Sequence, residues 1–594
     1  VNTVALPSTT HAQDTFLGHP KGVFICFFTE MWERFSFYGM KALLLLFLVE
    51  HHKFGDTGGL NMLGAYGGMV YCLPVIGGLL ADRYLGMRKA VIFGGILLVL
   101  GHLGMAYEGT PATGSGDNIV RDTSALLVFY FSLSLIIMGV GFLKPNISTI
   151  VGKLYEENDP RRDSGFSLFY AGINLGALFA SLVCGVLGQQ YGWKYGFGAA
   201  GIGMLAGLAM FIWGQKYLRG HAESSAPESL KERVFGIPRE WLIYISAIVG
   251  LVPVAGLMWA TGNNAFTLDI GFDLTLAQML MLAVFSIVLI WFVYFIITQC
   301  TKIQREQMIS MMIMIFMALI FFTLYEQTYG SWVVFTDRLM TKNFFPELIV
   351  AGGLPLWYFI VPVMIMPGAF MISNHFHEKN PQSKLPLAIF IVAALIALLM
   401  VLGMAVFQEQ NGGSLTFLGA LFILLLAPVF TGLWGWLDVR NINPSKPMKN
   451  AIGLLAGALA FIPLVIAAQQ AATTGTVTSV WWLVLAYFIL EVGEMCLSPV
   501  GLSAVTQLSM PRVVSLMMGT WFLATAFSEL LAHKLATLAS VEDAGAVVEH
   551  SAAWTEAANK YGDLFWNLTI GGLVCAAIAF AMVIPMKRWM HGVK

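Results

Sequence analysis

Charge is scarce in this chain. Of 594 residues only 11% are Asp, Glu, Lys or Arg, with a formal net charge of -1. A soluble domain carries about 25% charged residues, so a soluble fold of this length is excluded, and a net charge near zero says nothing about partners. Cysteine is as sparse. The six, Cys26, Cys72, Cys184, Cys300, Cys496 and Cys575, lie far apart in or at the ends of apolar segments. They form neither a disulfide framework nor a zinc-binding spacing. The apolar segments hold no His-Glu-x-x-His pair, Ser-His dyad, or haem or thiolate ligand set. A membrane-embedded enzyme or a proton-pump subunit therefore has little to build on, and no cofactor is expected beyond protons as coupling ions. His102, the one histidine deep in a segment, reads as a packing residue. Residues 1–20 lack a basic region followed by a short apolar core and do not read as a cleavable signal peptide.

What is abundant is hydrophobicity: 57% of residues, with a mean hydropathy of +0.74. Windows of about 20 apolar residues mark sixteen segments, near 22–50, 60–82, 88–108, 122–145, 163–188, 195–214, 240–260, 276–299, 308–330, 348–372, 385–407, 415–438, 450–470, 479–503, 511–534 and 562–586. The expected fold class is an all-α polytopic membrane protein in a lipid bilayer. Lys and Arg test this map, because they crowd into alternate, cytoplasmic loops. With a cytoplasmic N-terminus, 23 fall in cytoplasmic loops and tails, 7 outside and 3 within the membrane, accounting for all 33. Both termini are then expected inside, in a plasma (bacterial inner) membrane. Clusters such as Arg83, Arg88 and Lys89, or Arg440, Lys446 and Lys449, need no nucleic-acid explanation.

The chain divides into residues 1–214, a bundle of six helices; residues 215–307, a polar cytoplasmic linker and two inserted helices; and residues 308–594, a second six-helix bundle with a hydrophobic insertion near 340–410. The inserted segments at 240–299 have no mid-segment charge, so they read as lipid-facing additions. Two six-helix halves are the usual plan of carriers that rock about a midplane site.

The first segment breaks the apolar pattern with Glu30, Glu33, Arg34 and Lys41. On an α-helix Glu30, Arg34, Phe37 and Lys41 share a sector of about 60°, flanked by Glu33 and Tyr38. Each such group at the bilayer centre costs roughly 2.5 to 3.5 kcal/mol, so the stripe is expected to line an interior path. Lys144, Glu326, Glu491 and Glu494 bring the intramembrane total to eight, about 20 to 28 kcal/mol if all stood unpaired. Five acidic groups face three basic ones, so at least two carboxylates lack a basic partner. Burial without a partner favours the neutral form, which makes these carboxylates natural proton carriers.

Three motifs then stand out. Gly77-Gly78-Leu79-Leu80-Ala81-Asp82-Arg83-Tyr84-Leu85-Gly86-Met87-Arg88-Lys89 resembles the cytoplasmic signature loop of the major facilitator superfamily, with Asp82 and Arg83 as gating residues. Glu30-Met31-Trp32-Glu33-Arg34 together with Phe169-Tyr170-Ala171-Gly172-Ile173-Asn174-Leu175-Gly176 resembles the proton-dependent oligopeptide transporter family over most of the chain, least at 340–415.

The resemblance implies a major facilitator fold and a symporter of protons with di- and tripeptides, functioning as a monomer. It implies proton coupling at Glu30, Glu33, Arg34 and Glu326, with Lys144 pairing Glu326 across the halves. Lys41 and Lys144 would meet the peptide carboxylate, and Glu494 and Asn174 its amino end. Phe37, Tyr38, Tyr71, Glu326, Ser498 and Trp521 would complete the pocket. The chain departs from the family pattern at Phe37, where a tyrosine is common, at Lys41, where arginine is common, and at Gly419, where an asparagine precedes Pro428. Lysine cannot grip a carboxylate with two parallel hydrogen bonds as arginine does. A carrier or exporter of another small molecule, such as nitrate or a drug, would share the fold. A peptide sensor would need signalling domains that the sequence lacks.

Overall fold

The computed structural model describes residues 15–593 apart from 115, 157–158, 160, 225–226, 270–272, 381–382, 511–512 and 542–546. Each of the sixteen apolar segments is helical. The first half holds α1 (Lys21–Leu46), α2 (Gly55–Leu80), α3 (Met87–Met105), α4 (Thr123–Lys153), α5 (Arg162–Tyr191) and α6 (Trp193–Gly214), followed by α7 (Arg239–Gly262) and α8 (Leu276–Thr298). The rest comprises α9 (Lys302–Tyr325, continued after a turn by Ser331–Leu339), α10 (Leu356–Lys379), α11 (Leu385–Phe407), α12 (Phe417–Val439), α13 (Lys446–Leu459 and Ile462–Thr474), α14 (Trp481–Leu508), α15 (Val514–Ala536) and α16 (Ala552–Trp589). By length and composition 14 of these pass as membrane spans. α1 carries five charged residues, Lys21, Glu30, Glu33, Arg34 and Lys41. An even number of crossings puts residues 21 and 589 at the same face, here called the terminal face.

Helices α1–α6 form one bundle with α1 at its heart, against α5 and α6, while α2 and α3 pack on α4. Small residues set these approaches: a Cβ on Gly77 would lie 2.6 Å from the Gly141 carbonyl carbon, so α2 and α4 touch backbone to backbone. Helices α9 and α12–α16 form the second bundle. The bundles meet where α2 packs on α15 and α5 on α12.

Two helix pairs lie outside this plan. Helix α7 leans on α2 and α4 while α8 reaches α15, so the first pair covers the α2–α15 seam. Its outward surface is apolar, with Ile248, Val252, Ile287 and Ile290 exposed, as a lipid-facing addition requires. The second pair, α10–α11, belongs to the second half in sequence yet packs on α5 and on the start of α1 of the first bundle. Phe370 of α10 stacks on Phe24 at 5.4 Å between ring centroids.

The signature loop ends α2 in a wide helical turn, Ala81–Leu85, closed by Gly86 at φ 80°. A side chain at Gly86 would be strained and would meet Ser224 Cα at 2.9 Å. Arg88 pairs with Glu223 at 2.5 Å and Lys89 with Glu240 at 2.6 Å, so the loop's cations hold the linker. Asp82 and Arg83 are exposed at the terminal face.

Candidate functional site

Nearly all of α1 is buried, so its charges are shielded from lipid on every side. Arg34 bonds Glu33 and lies 3.4 Å from Glu30. Its guanidinium covers the Phe37 ring at 4.8 Å. The second motif is the mate of the first. A Cβ on Gly176 of α5 would lie 3.0 Å from Arg34 Cβ, and one on Gly172 would press into Phe27. Both glycines let α5 lie directly against the charged stretch of α1, so the two motifs form a single helix–helix contact.

Lys41, two turns beyond Arg34, bonds Glu326 Oε2 of α9 and Glu529 Oε1 of α15, each at 2.7 Å. All three side chains are buried. This corrects one expectation: Glu326 pairs with Lys41 and not with Lys144. The exchange follows from depth, because Lys41 and Glu326 both stand toward the face opposite the termini, where α1 meets α9. Glu529 was missed by the sequence reading. The signal was available, since it is a single carboxylate within the apolar run of α15. Gly67 of α2 makes room for it, as a Cβ there would lie 2.7 Å from Glu529 Cδ. Further out on the same face Arg338 of α9 clasps Asp56 of α2 through two bonds of 2.7 and 2.6 Å. The segment between α11 and α12 adds Asn411 Nδ2 to the Gly185 carbonyl of α5 at 3.0 Å. The bundles are thus fastened together at the face opposite the termini.

Below this closure lies a cavity of about 250 Å³ between the bundles. The first bundle supplies Tyr38, Tyr71, Lys144 and Asn174; the second supplies Glu326, Glu494, Ser498 and Trp521. These are eight of the residues expected to bind substrate. Lys144 Nζ sits 4.2 Å from the Tyr71 ring centroid, and among the described residues no carboxylate pairs with it. Ser498 Oγ donates to Glu494 Oε1 at 3.5 Å. Asn174 Nδ2 is occupied by the Tyr170 carbonyl at 3.0 Å. Phe37 and Lys41 do not line the cavity: Phe37 stacks toward Tyr66 at 6.3 Å, and Lys41 is held by its two carboxylates. The sequence reading also missed Tyr170, Tyr325, Tyr329 and Tyr487, which complete an aromatic wall. Their helical spacing alone could not separate cavity lining from packing.

Two six-helix bundles that enclose a cavity bearing charges of both signs, fastened across one face by ion pairs, define a solute carrier of the major facilitator type. Among such carriers the chain belongs to the POT family, whose sequence profile matches residues 88–348 and 410–549. The unmatched stretch between these blocks contains α10 and α11, so the second helix pair is an addition to the family core. The chain is 30% identical to the peptide transporter YePEPT of Yersinia enterocolitica over 97% of its own length and 96% of the relative's. It is also 30% identical to a di-/tripeptide transporter of Lactococcus lactis, over 87% and 89%. A crystal structure of the peptide transporter POT in complex with sulfate superposes with a TM-score of 0.70 at 29% identity, covering 99% of this chain and 100% of the other. A mutant of that transporter, solved in complex with alafosfalin, gives 0.69 at 29% identity.

Proposed function

We propose that the chain is a monomeric, non-enzymatic symporter that imports di- and tripeptides with protons across a bacterial plasma membrane, both termini in the cytoplasm. The observation that carries the reading is the cavity itself. The first bundle offers it an ammonium at Lys144, and the second a carboxylate at Glu494. A short peptide is a zwitterion, so its carboxylate and amino end find opposite charges on opposite bundles. Binding then draws the bundles together, which is what alternating access requires. The aromatic wall accepts varied side chains without demanding one shape. The naming of relatives as peptide and di-/tripeptide transporters supports the same substrate class.

The face opposite the termini is external in this reading, and it opens when the Lys41 cluster and the Arg338–Asp56 clasp separate. Protonation of Glu326 weakens the hold on Lys41, so protons arriving from outside promote opening. Glu30, Glu33 and Arg34 lie beside the cavity on one helix and carry the proton-linked charge through the cycle. Asp82 and Arg83 act as gating residues at the other face. At 100 mV one inward charge is worth about 2.3 kcal/mol, which supports nearly fiftyfold accumulation. The test is reconstitution in liposomes. An imposed inward proton gradient should drive accumulation of dialanine, and failure to accumulate it while nitrate or a drug moves would replace the substrate class.

A further inference from the structure

Among the described residues every buried carboxylate of the interior but two stands beside a cation. Glu30 and Glu33 share Arg34, Glu326 and Glu529 share Lys41, and Asp56 has Arg338. The exceptions are Glu491 and Glu494, three residues apart on α14 and so neighbours on one helix face. No described Lys or Arg pairs with either. They interact instead with each other, and both interact with the Tyr325 hydroxyl of α9.

The two carboxyl groups have different surroundings. Glu494 lines the cavity, is 8% exposed and accepts from Ser498 Oγ at 3.5 Å. Glu491 is 0% exposed. Gly419 of α12 closes over it, since a Cβ there would lie 2.9 Å from Glu491 Oε1. The other titratable groups facing the pair are Glu326, which Lys41 holds, and Tyr38, Tyr170 and Tyr487. Tyrosines are neutral at working pH. No ion pair therefore balances two anions at this place, and like charges in contact cannot both be ionised. One proton resolves the conflict. The member at the cavity, with the additional hydroxyl donor, keeps the charge; the sealed member keeps the proton, because burial without a partner favours the neutral form.

We propose that Glu491 is a carboxylic acid throughout the working range and donates a hydrogen bond to Glu494, which holds Glu494 ionised as the anchor for the amino end of the peptide. The inference rests on the peptide reading, in which that amino end lies at Glu494. Without a donor behind it, Glu494 would stand among tyrosines with a proton of its own, and an arriving ammonium would have to expel that proton. With Glu491 donating, the ammonium meets an anion already formed, and no proton leaves the pair on binding. Glu491 is thus a positioning residue that acts on the substrate through Glu494.

The experiment compares wild type, Glu491→Gln and Glu491→Leu in the purified full chain. Glutamine donates an N–H without a titratable proton, whereas leucine donates nothing. Infrared difference spectra of the peptide-free protein at neutral pH should show a protonated-carboxyl band in wild type that Glu491→Gln lacks. In Glu491→Leu a band should remain, now from Glu494, and vanish when dialanine binds. Dialanine affinity, followed by calorimetry from mildly acid to mildly alkaline pH, should keep its wild-type pH dependence in Glu491→Gln. In Glu491→Leu it should weaken relative to wild type by up to about tenfold for each unit that the pH falls, as one added proton released per peptide requires. If Glu491→Leu fails to fold, the spectra of wild type and Glu491→Gln decide. A wild-type spectrum identical to that of Glu491→Gln overturns the assignment. So do a Glu491→Leu protein with wild-type pH dependence and a Glu491→Gln protein that behaves as Glu491→Leu does. Wild type that shows the band and binds no dialanine would overturn the peptide reading and leave the acid–carboxylate pair standing.

Discussion

The two ion clusters around α1 are built from similar groups by different means. Glu30, Glu33 and Arg34 belong to one helix and contact one another within a turn. Lys41, Glu326 and Glu529 come from three helices in two bundles. The first cluster travels with its bundle and keeps its contacts whatever the bundles do. The second exists only while α1, α9 and α15 are together, so it is a bond between states. A charge pair within an element stores charge, and one between elements reports and controls geometry.

Removing the cation of the shared cluster should have the largest effect. Lys41→Ala leaves Glu326 and Glu529 buried with no cation, which costs about 3 to 5 kcal/mol. Transport should be lost and thermal unfolding of the purified protein should begin at a lower temperature. Adding Glu326→Gln and Glu529→Gln to that variant should recover much of the stability but not transport. A Lys41→Ala protein as stable as wild type would remove the distinction between the clusters.

The local cluster should fail differently. Glu33→Gln is expected to abolish proton-driven accumulation while peptide exchange across liposomes persists, since Arg34 keeps Glu30 and the cavity residues stay in place. Uphill uptake at the wild-type rate would refute that role.

Trimming the shared cluster without emptying it should do less. In Glu529→Gln, Lys41 keeps Glu326, and the loss is one charge-assisted bond, about 1.5 to 3 kcal/mol. The bias should move toward opening at the face opposite the termini, read as faster labelling of a cysteine placed at the buried Ser331 with Glu529→Gln than with Glu529 intact. Unchanged labelling would show that Glu326 alone sets the closure.

The smallest change is expected at the rim. Arg338 and Asp56 form a two-bond pair in which the carboxylate is buried and the guanidinium keeps partial contact with solvent, and a double-mutant cycle with Arg338→Ala and Asp56→Ala should return about 1 kcal/mol of coupling. A coupling above that of Lys41 with Glu326 would put the main latch at the rim.

The sequence reading reached the helical segments, 14 of which pass as membrane spans among the described residues, the helix bundles and most of the cavity wall because each rests on local pattern. Lys144 and Glu494 were found as charges in apolar runs, and the structure places both at the cavity. Glu529 obeys the same rule and was overlooked, which is a failure of reading and not of signal. The pairing of Lys144 with Glu326 failed for a different reason. Its partners had to be matched across the chain, and nothing in the spacing says which of three cations stands at the depth of Glu326.

By itself, the sequence determined sixteen apolar helical segments, a six-plus-six core and the family, because an apolar run of about 20 residues and a charge three or four positions from its partner are properties of one helix. Tertiary structure alone decided that Lys41 takes carboxylates 285 and 488 residues away, that α10 and α11 pack on the first bundle, and that Glu491 is buried against Gly419. Those choices depend on how closely glycine-bearing helices approach and on how far along its helix each charge stands. They are fixed only when the bundles close, since a buried charge takes the partner that packing brings within reach.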